Sequence, residues 1–187
     1  MIFSGSASIV HHWTYTGAMD LAPLIRDVPD FPKPGITFKD IAPLLGNREA
    51  LAYVVHVTAA HFAGKGVTKV VGIESRGFIC APAIALGLGV GFVPVRKPGK
   101  LPWKCYEESY SLEYGADRLE VHVDALSPQD RVLLVDDVLA TGGTMAAALR
   151  LVRRCGATPV ACSFLIELAA LVGRSRLDVE SFAVATY

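Results

Sequence analysis

Val132-Leu133-Leu134-Val135-Asp136-Asp137-Val138-Leu139-Ala140-Thr141-Gly142-Gly143-Thr144 packs an apolar strand, an acidic pair and a glycine-threonine turn into thirteen residues. The spacing predicts a buried strand over residues 131–135, a short loop, and a helix over residues 144–155 closed by Gly156. Glycines let successive backbone N–H groups converge on one anion, and a helix N-terminus adds partial positive charge. Ala140, Thr141, Gly142, Gly143 and Thr144 are therefore expected to cradle a phosphate, with the two threonine hydroxyls as extra donors. Asp136 and Asp137 accept hydrogen bonds but donate none at neutral pH, which suits sugar hydroxyls or the water shell of Mg²⁺. The loop lacks the lysine of a Walker A motif and is not a G-x-G-x-x-G fingerprint, so neither ATP nor a dinucleotide is implied.

Outward from this stretch, the pattern repeats. Residues 47–63 carry apolar side chains at helical spacing. A β-branched strand over 67–73, a helix over 77–88 and a strand over 90–95 spell one βαβ unit; residues 131–166 spell a second, ending in a strand over 158–166. Two such units predict an α/β fold, a single domain with a mostly parallel twisted sheet flanked by helices. Ligands in such sheets bind beyond the carboxyl ends of the strands, so loops 74–78, 96–115 and 136–144 should line one crevice. The uncharged run Gly77 to Val95 is long enough to suggest a membrane span, but four glycines and two prolines divide it into a helix and a strand. Gly87-Leu88-Gly89-Val90-Gly91 reads as the tight turn between them.

The chain has 187 residues, with 18 basic and 18 acidic side chains and no formal net charge, which argues against a general nucleic-acid binder. Its four cysteines, at 80, 105, 155 and 162, form no C-x-x-C pair and read as reduced thiols of a cytoplasmic protein. His56 and His61, five apart on one helix, face different ways, and no metal site is expected there. The first eighteen residues contain neither Lys nor Arg and match no secretory or transit signal. Residues 1–19 read as an extension before a domain over 20–187.

The predicted crevice loops are chemically loaded. Arg96, Lys97, Lys100 and Lys104 lie in nine residues free of acids, a local positive field suited to pyrophosphate. Arg76, between Ser75 and Gly77 at a strand end, offers a forked donor where backbone comes close to a ligand. Residues 104–115 are polar, with little apolar periodicity, and read as a mobile lid. Phe38 offers a face on which a planar base could stack.

Residues 132–144 resemble the signature of the type I phosphoribosyltransferases. Four further segments narrow the likeness to the adenine branch: Phe31-Pro32-Lys33-Pro34-Gly35-Ile36-Thr37-Phe38-Lys39-Asp40, Glu74-Ser75-Arg76-Gly77-Phe78, Arg96-Lys97-Pro98-Gly99-Lys100-Leu101-Pro102 and Ser109-Tyr110-Ser111-Leu112-Glu113-Tyr114-Gly115. The resemblance runs from about Asp20 to the C-terminus. It implies a small hood over the sheet, a flexible lid loop, Mg²⁺ arriving mainly with the substrate, a homodimer, and transfer of a phosphoribosyl group from phosphoribosyl pyrophosphate to adenine, giving AMP and pyrophosphate in purine salvage. By the same resemblance, Ser75, Arg76, Arg96, Lys97 and Lys100 meet the pyrophosphate, and a non-proline cis peptide falls between Glu74 and Ser75. Glu113 lies at the imidazole edge of the purine as acid or base, with Tyr114 closing over a sugar that must be shielded from water. Backbone groups of Ile36, Thr37, Phe38 and Lys39 would read adenine, and Leu168 or Leu171 would cover its other side. Lys39 stands where family members often carry arginine. Two other functions fit parts of the pattern: a sensor of the sugar pyrophosphate that performs no chemistry, and a transferase for another purine, although no lysine follows the Gly-Gly-Thr loop to meet a 6-oxo group.

Overall fold

The computed structural model describes residues 17–111 and 116–187. The chain divides into two compact units, residues 1–56 and 57–187. In the first, a one-turn 3₁₀ helix (Ala22–Leu24) leads into β1 (Arg26–Val28), which pairs antiparallel with β2 (Phe38–Asp40). Between these strands, Phe31–Pro32 is cis, and the chain turns at Gly35, whose N–H donates to Asp30 Oδ1 at 2.7 Å. Then follow α1 (Ala42–Gly46) and α2 (Arg48–Phe62), in which the boundary between the units falls. Asn47 caps α2, its Oδ1 accepting from the Glu49 and Ala50 N–H groups at 3.0 Å each.

The second unit is built on β3 (Lys69–Ile73), α3 (Gly77–Leu88), β4 (Gly91–Val95), β5 (Cys105–Ser111), β6 (Ala116–His122), β7 (Arg131–Leu139), α4 (Gly143–Arg154), β8 (Thr158–Glu167) and β9 (Glu180–Thr186). Five of these strands form one sheet in the order β4-β3-β7-β8-β9, and every pairing in it is parallel. Strand alternation divides its side chains between two helix layers. Val71, Ile73, Val132 and Leu134 join Met145, Ala148, Leu149 and Val152 of α4 in one buried cluster. Gly72, one position out of phase, turns to α3: a Cβ there would stand 2.8 Å from that of Ala81, so the helix approaches as closely as it does because position 72 has no side chain.

The helix and strand expected within Gly77 to Val95 are α3 and β4, and Gly89 closes α3 in the left-handed conformation at φ 70°. Among the described residues, no helix is long and apolar enough to cross a membrane. Two expectations need correction. The strand predicted over 131–135 continues to Leu139, so the acidic pair lies inside β7; Val138 and Leu139 keep pairing with Ile166 and Glu167 of β8. Ladder bonds there outweigh the poor strand propensity of aspartate.

The second correction concerns the segment expected to be a lid. Residues 105–111 form β5, paired residue for residue with β6 from Cys105–His122 to Ser111–Ala116. This hairpin is fastened to α4 by Arg150, whose Nε donates to Glu108 Oε2 at 3.0 Å, and by Arg154, whose guanidinium lies 4.7 Å from the Tyr106 ring centre. Alternate residues Tyr110, Leu119 and Val121 enter the core, a period of two that the polar side chains between them conceal. Leu112, Glu113, Tyr114 and Gly115 lie outside the described residues, as do residues 1–16.

Candidate active site

The turn from β7 into α4 forms a small recess. Asp136, the run Val138 to Met145, and Phe164 line about 310 Å³ of space open to solvent. Gly142 is the N-cap of α4 in the left-handed conformation (φ 79°), and no side chain caps the helix. The first intrahelical backbone bond runs from Ala146 N–H to the Gly142 carbonyl at 2.9 Å. The N–H groups ahead of it have no intrahelical acceptor, the arrangement that binds anions. Thr141 and Thr144 are thus not spent on capping.

Asp136 and Asp137 occupy successive positions of β7 and diverge. Asp136 lines the recess, and its Oδ1 accepts from the Asp137 N–H at 2.9 Å. Asp137 is buried, with Arg76 Nε 2.8 Å from its Oδ2. The N–H direction misses that oxygen, which lacks a hydrogen-bond donor inside the protein. Burial, reinforced by the Asp137 charge, pushes the Asp136 carboxyl well above the usual aspartate range. Burial also raises Asp137, against the opposing pull of Arg76. Two acids held this way cost stability when ionised.

At the end of β3, the Glu74–Ser75 peptide is cis, the position the family resemblance implies, and Arg76 follows at the N-cap of α3. Gly77 lies against β7: a Cβ there would stand 2.8 Å from the Val135 carbonyl oxygen and 3.0 Å from Asp136 Oδ1. The Ser75–Gly77 segment and the acidic pair are therefore in contact.

The basic segment is less free than its sequence implies. Arg96 donates to both oxygens of Glu74, Nη2 to Oε1 at 2.9 Å and Nε to Oε2 at 3.1 Å, while its Nη1 donates to the Lys100 carbonyl at 3.0 Å. The Arg96 hydrogen bonds hold the Glu74 carboxyl below its ordinary value, outweighing burial. Lys97 Nζ bonds Asp117 and, at 2.9 Å, the Tyr110 hydroxyl, which ties this loop to the β5–β6 hairpin. The Gly99 N–H donates to Glu120 Oε2 at 3.1 Å. Nine residues without an acid do not make an uncompensated positive field here, because Glu74 arrives from the turn after β3 and Asp117 and Glu120 from β6. Lys100 and Lys104 are exposed.

In the first unit, Phe38 packs edge-on against Phe31, with ring centres 5.2 Å apart at 77°, and Phe31 and Ile36 expose much of their apolar surface. Lys39 Nζ lies 2.6 Å from Asp27 Oδ1 across the β1–β2 pair. In the second unit, Leu168 follows β8 half-buried, its N–H donating to the Leu139 carbonyl at 2.9 Å.

The phosphoribosyl transferase domain family matches residues 37–183. A relative named adenine phosphoribosyltransferase in Acidothermus cellulolyticus is 60% identical over 153 residues, covering 82% of this chain and 86% of its own. The chain belongs to the adenine phosphoribosyltransferase family. Among solved members, the enzyme of Rhodothermus marinus superposes with a TM-score of 0.85 at 54% identity, over 89% of this chain and 96% of its own. The enzyme of Saccharomyces cerevisiae, solved with an imino-altritol bisphosphate and adenine, gives 0.84 at 39%, over 88% of this chain and 96% of its own. These likenesses support the α/β phosphoribosyltransferase fold expected from the sequence.

Sequence reasoning missed the acids that hold the basic loop and the turn Val172–Arg174 beneath the glycine loop. Acids brought in by strand pairing leave no local signal. Gly173 gave one only as an isolated glycine after an apolar strand.

Proposed function

We propose that the protein transfers the 5-phosphoribosyl group of phosphoribosyl pyrophosphate to adenine, releasing pyrophosphate and forming AMP, and so serves purine salvage in the cytoplasm. The observation that carries this reading is the uncapped helix start at Gly142, opening on a recess that Asp136 also lines. Relatives and solved neighbours that bear the adenine phosphoribosyltransferase name support the same activity.

In this reading, Ala140, Thr141, Gly142, Gly143 and Thr144 hold the 5′-phosphate, and Asp136 and Asp137 accept from the ribose hydroxyls. Asp136 supports this role, because it lines the same recess as the glycine loop. Ser75, Arg76, Arg96, Lys97 and Lys100 meet the pyrophosphate, which must share Arg96 with Glu74 and Lys97 with Asp117. As the bond from the anomeric carbon to pyrophosphate oxygen breaks, the sugar becomes cationic; the adenine N9 lone pair forms the new bond, and the purine proton leaves. Glu113 accepts that proton at N7, and Tyr114 closes the site against water. Adenine recognition is assigned to Ile36, Thr37, Phe38 and Lys39, and contact with the base to Leu168. Such a reaction depends chiefly on positioning and charge.

Among the described residues, no group of three or more His, Cys, Asp or Glu side chains could hold a metal. Asp136, on the recess lining, and its neighbour Asp137 suit the water shell of Mg²⁺ carried mainly by substrate oxygens. Bound Mg²⁺ would offset charge on the departing pyrophosphate. Residues 20–187 make up the transferase domain in this reading, after an extension over 1–19. A second copy of the chain completes a homodimer, for which the exposed Ile79 and Leu86, two helical turns apart on α3, supply apolar surface. Sedimentation should give twice the chain mass; a monomer at micromolar concentration would reject the dimer.

The activity is tested by pyrophosphate release with Mg²⁺ and phosphoribosyl pyrophosphate, offering adenine, hypoxanthine, guanine and orotate separately. Adenine alone should support turnover. Turnover with a 6-oxopurine would overturn the adenine pocket but keep the sugar site, and binding without turnover on any base would favour the sensor.

A further inference from the structure

The phosphate loop rests on a turn that the sequence did not single out. After β8, two short 3₁₀ helices, Ala169–Leu171 and Gly173–Arg176, meet at Val172, a β-branched residue held at φ 53°. Left-handed conformations are unfavourable for such residues and persist where the surroundings fix them. Val172 is exposed, so packing of its own side chain does not hold it there. The restraint comes from its neighbours. Arg174 forks onto buried Glu167, Nε to Oε1 at 2.6 Å and Nη2 to Oε2 at 2.5 Å, while its Nη1 donates to the Ser181 carbonyl at 2.6 Å and to Ser181 Oγ at 2.8 Å. One side chain thus fastens the turn to both β8 and β9.

This fastening drives Gly173 into the backbone of the phosphate loop. A Cβ on Gly173 would overlap the Ala140 carbonyl oxygen and stand 2.9 Å from Leu139 Cδ1. From the other side, a Cβ on Gly142 would stand 2.5 Å from the Gly173 carbonyl oxygen. Two glycines on separate segments therefore face each other with no room for a side chain on either. Ala140 and Gly142, which Gly173 meets, also line the recess.

We infer that Gly173, locked in place by the Arg174–Glu167 bridge, is a positioning residue that sets the backbone of the 5′-phosphate loop. It touches no substrate; it acts by fixing where the N–H donors of residues 141–144 point. The inference rests on the reading of that loop as the phosphate site. Donors displaced by about 1 Å can lose up to ~100-fold in rate or binding.

The test compares wild type, Gly173→Ala and Arg174→Lys in the full chain, measuring ribose 5-phosphate affinity by calorimetry, and kcat and KM for phosphoribosyl pyrophosphate. Melting temperature checks that each variant is folded. Gly173→Ala should raise both the ribose 5-phosphate Kd and the KM by roughly 10- to 100-fold, with a smaller change in kcat. Arg174→Lys, which keeps the charge but loses the fork and adds no bulk at the loop, should weaken binding in the same direction. Unchanged affinity in a folded Gly173→Ala protein overturns the inference. If that variant does not fold, unchanged affinity in Arg174→Lys overturns it instead. A wild type that binds no ribose 5-phosphate overturns the phosphate-loop reading itself, and the inference with it.

Discussion

Replacing Asp136 and Asp137 together with asparagine is expected to lower kcat/KM by at least roughly 10²- to 10³-fold while leaving a folded protein that is no less stable at pH 7. The activity loss follows from the role proposed for them at the sugar site, offering acceptors and negative charge to ribose hydroxyls and hydrated metal. Stability should move the other way. Both carboxyls are raised above their ordinary value in the folded state, Asp136 through burial and the neighbouring Asp137 charge, Asp137 through burial against the pull of Arg76. Above the unfolded pKa, the folded state then binds more protons than the unfolded chain, so stability falls as pH rises through the window up to the raised values. Asparagine does not ionise and removes that slope. Arg76 is 39% exposed at its side chain and can hydrate when its partner is neutral. Melting temperature from pH 4 to 8, measured beside turnover, checks both halves; full turnover in the folded variant would reject the assignment of the acidic pair.

Gly142→Ala carries the second large expected effect. The residue sits at φ 79°, and an added Cβ would stand 2.5 Å from the Gly173 carbonyl oxygen, so a methyl group meets both backbone strain and a collision. The loop must retreat toward the recess it lines. We expect kcat/KM to fall about 100-fold and stability by ~1–3 kcal/mol. Steady-state kinetics with denaturant unfolding would check this, and a variant as active as wild type would show that the turn does not place the phosphate donors.

The parallel sheet was legible because its three central strands are buried on both faces and read as apolar runs: Val70 to Ile73, Val132 to Val135, and Ala161 to Ile166. The turn from β7 into α4 was legible because its signal is local, with glycines, threonines and a helix start contiguous in the chain. Charge balance was not. Arg96 and Lys97 appear unopposed in sequence, yet Glu74 lies 22 positions from Arg96 and Asp117 lies 20 from Lys97, joined to them only by folding. The β5–β6 hairpin was hidden because Glu107, Glu108 and Ser109 mask an alternation carried by Tyr106, Tyr110, Leu119 and Val121. The extension of β7 through two aspartates was missed because strand propensity cannot anticipate a neighbouring strand that supplies hydrogen bonds on past the acids. Gly173 illustrates the same limit: its importance comes from a carbonyl more than thirty residues away.

A crystal structure with ribose 5-phosphate and Mg²⁺ tests the account most directly. The phosphate should lie within hydrogen-bond distance of the backbone N–H groups of residues 141–144, with the ribose hydroxyls at Asp136 and Asp137. A phosphate seated instead on Arg96 to Lys100, with the glycine loop empty, would contradict it.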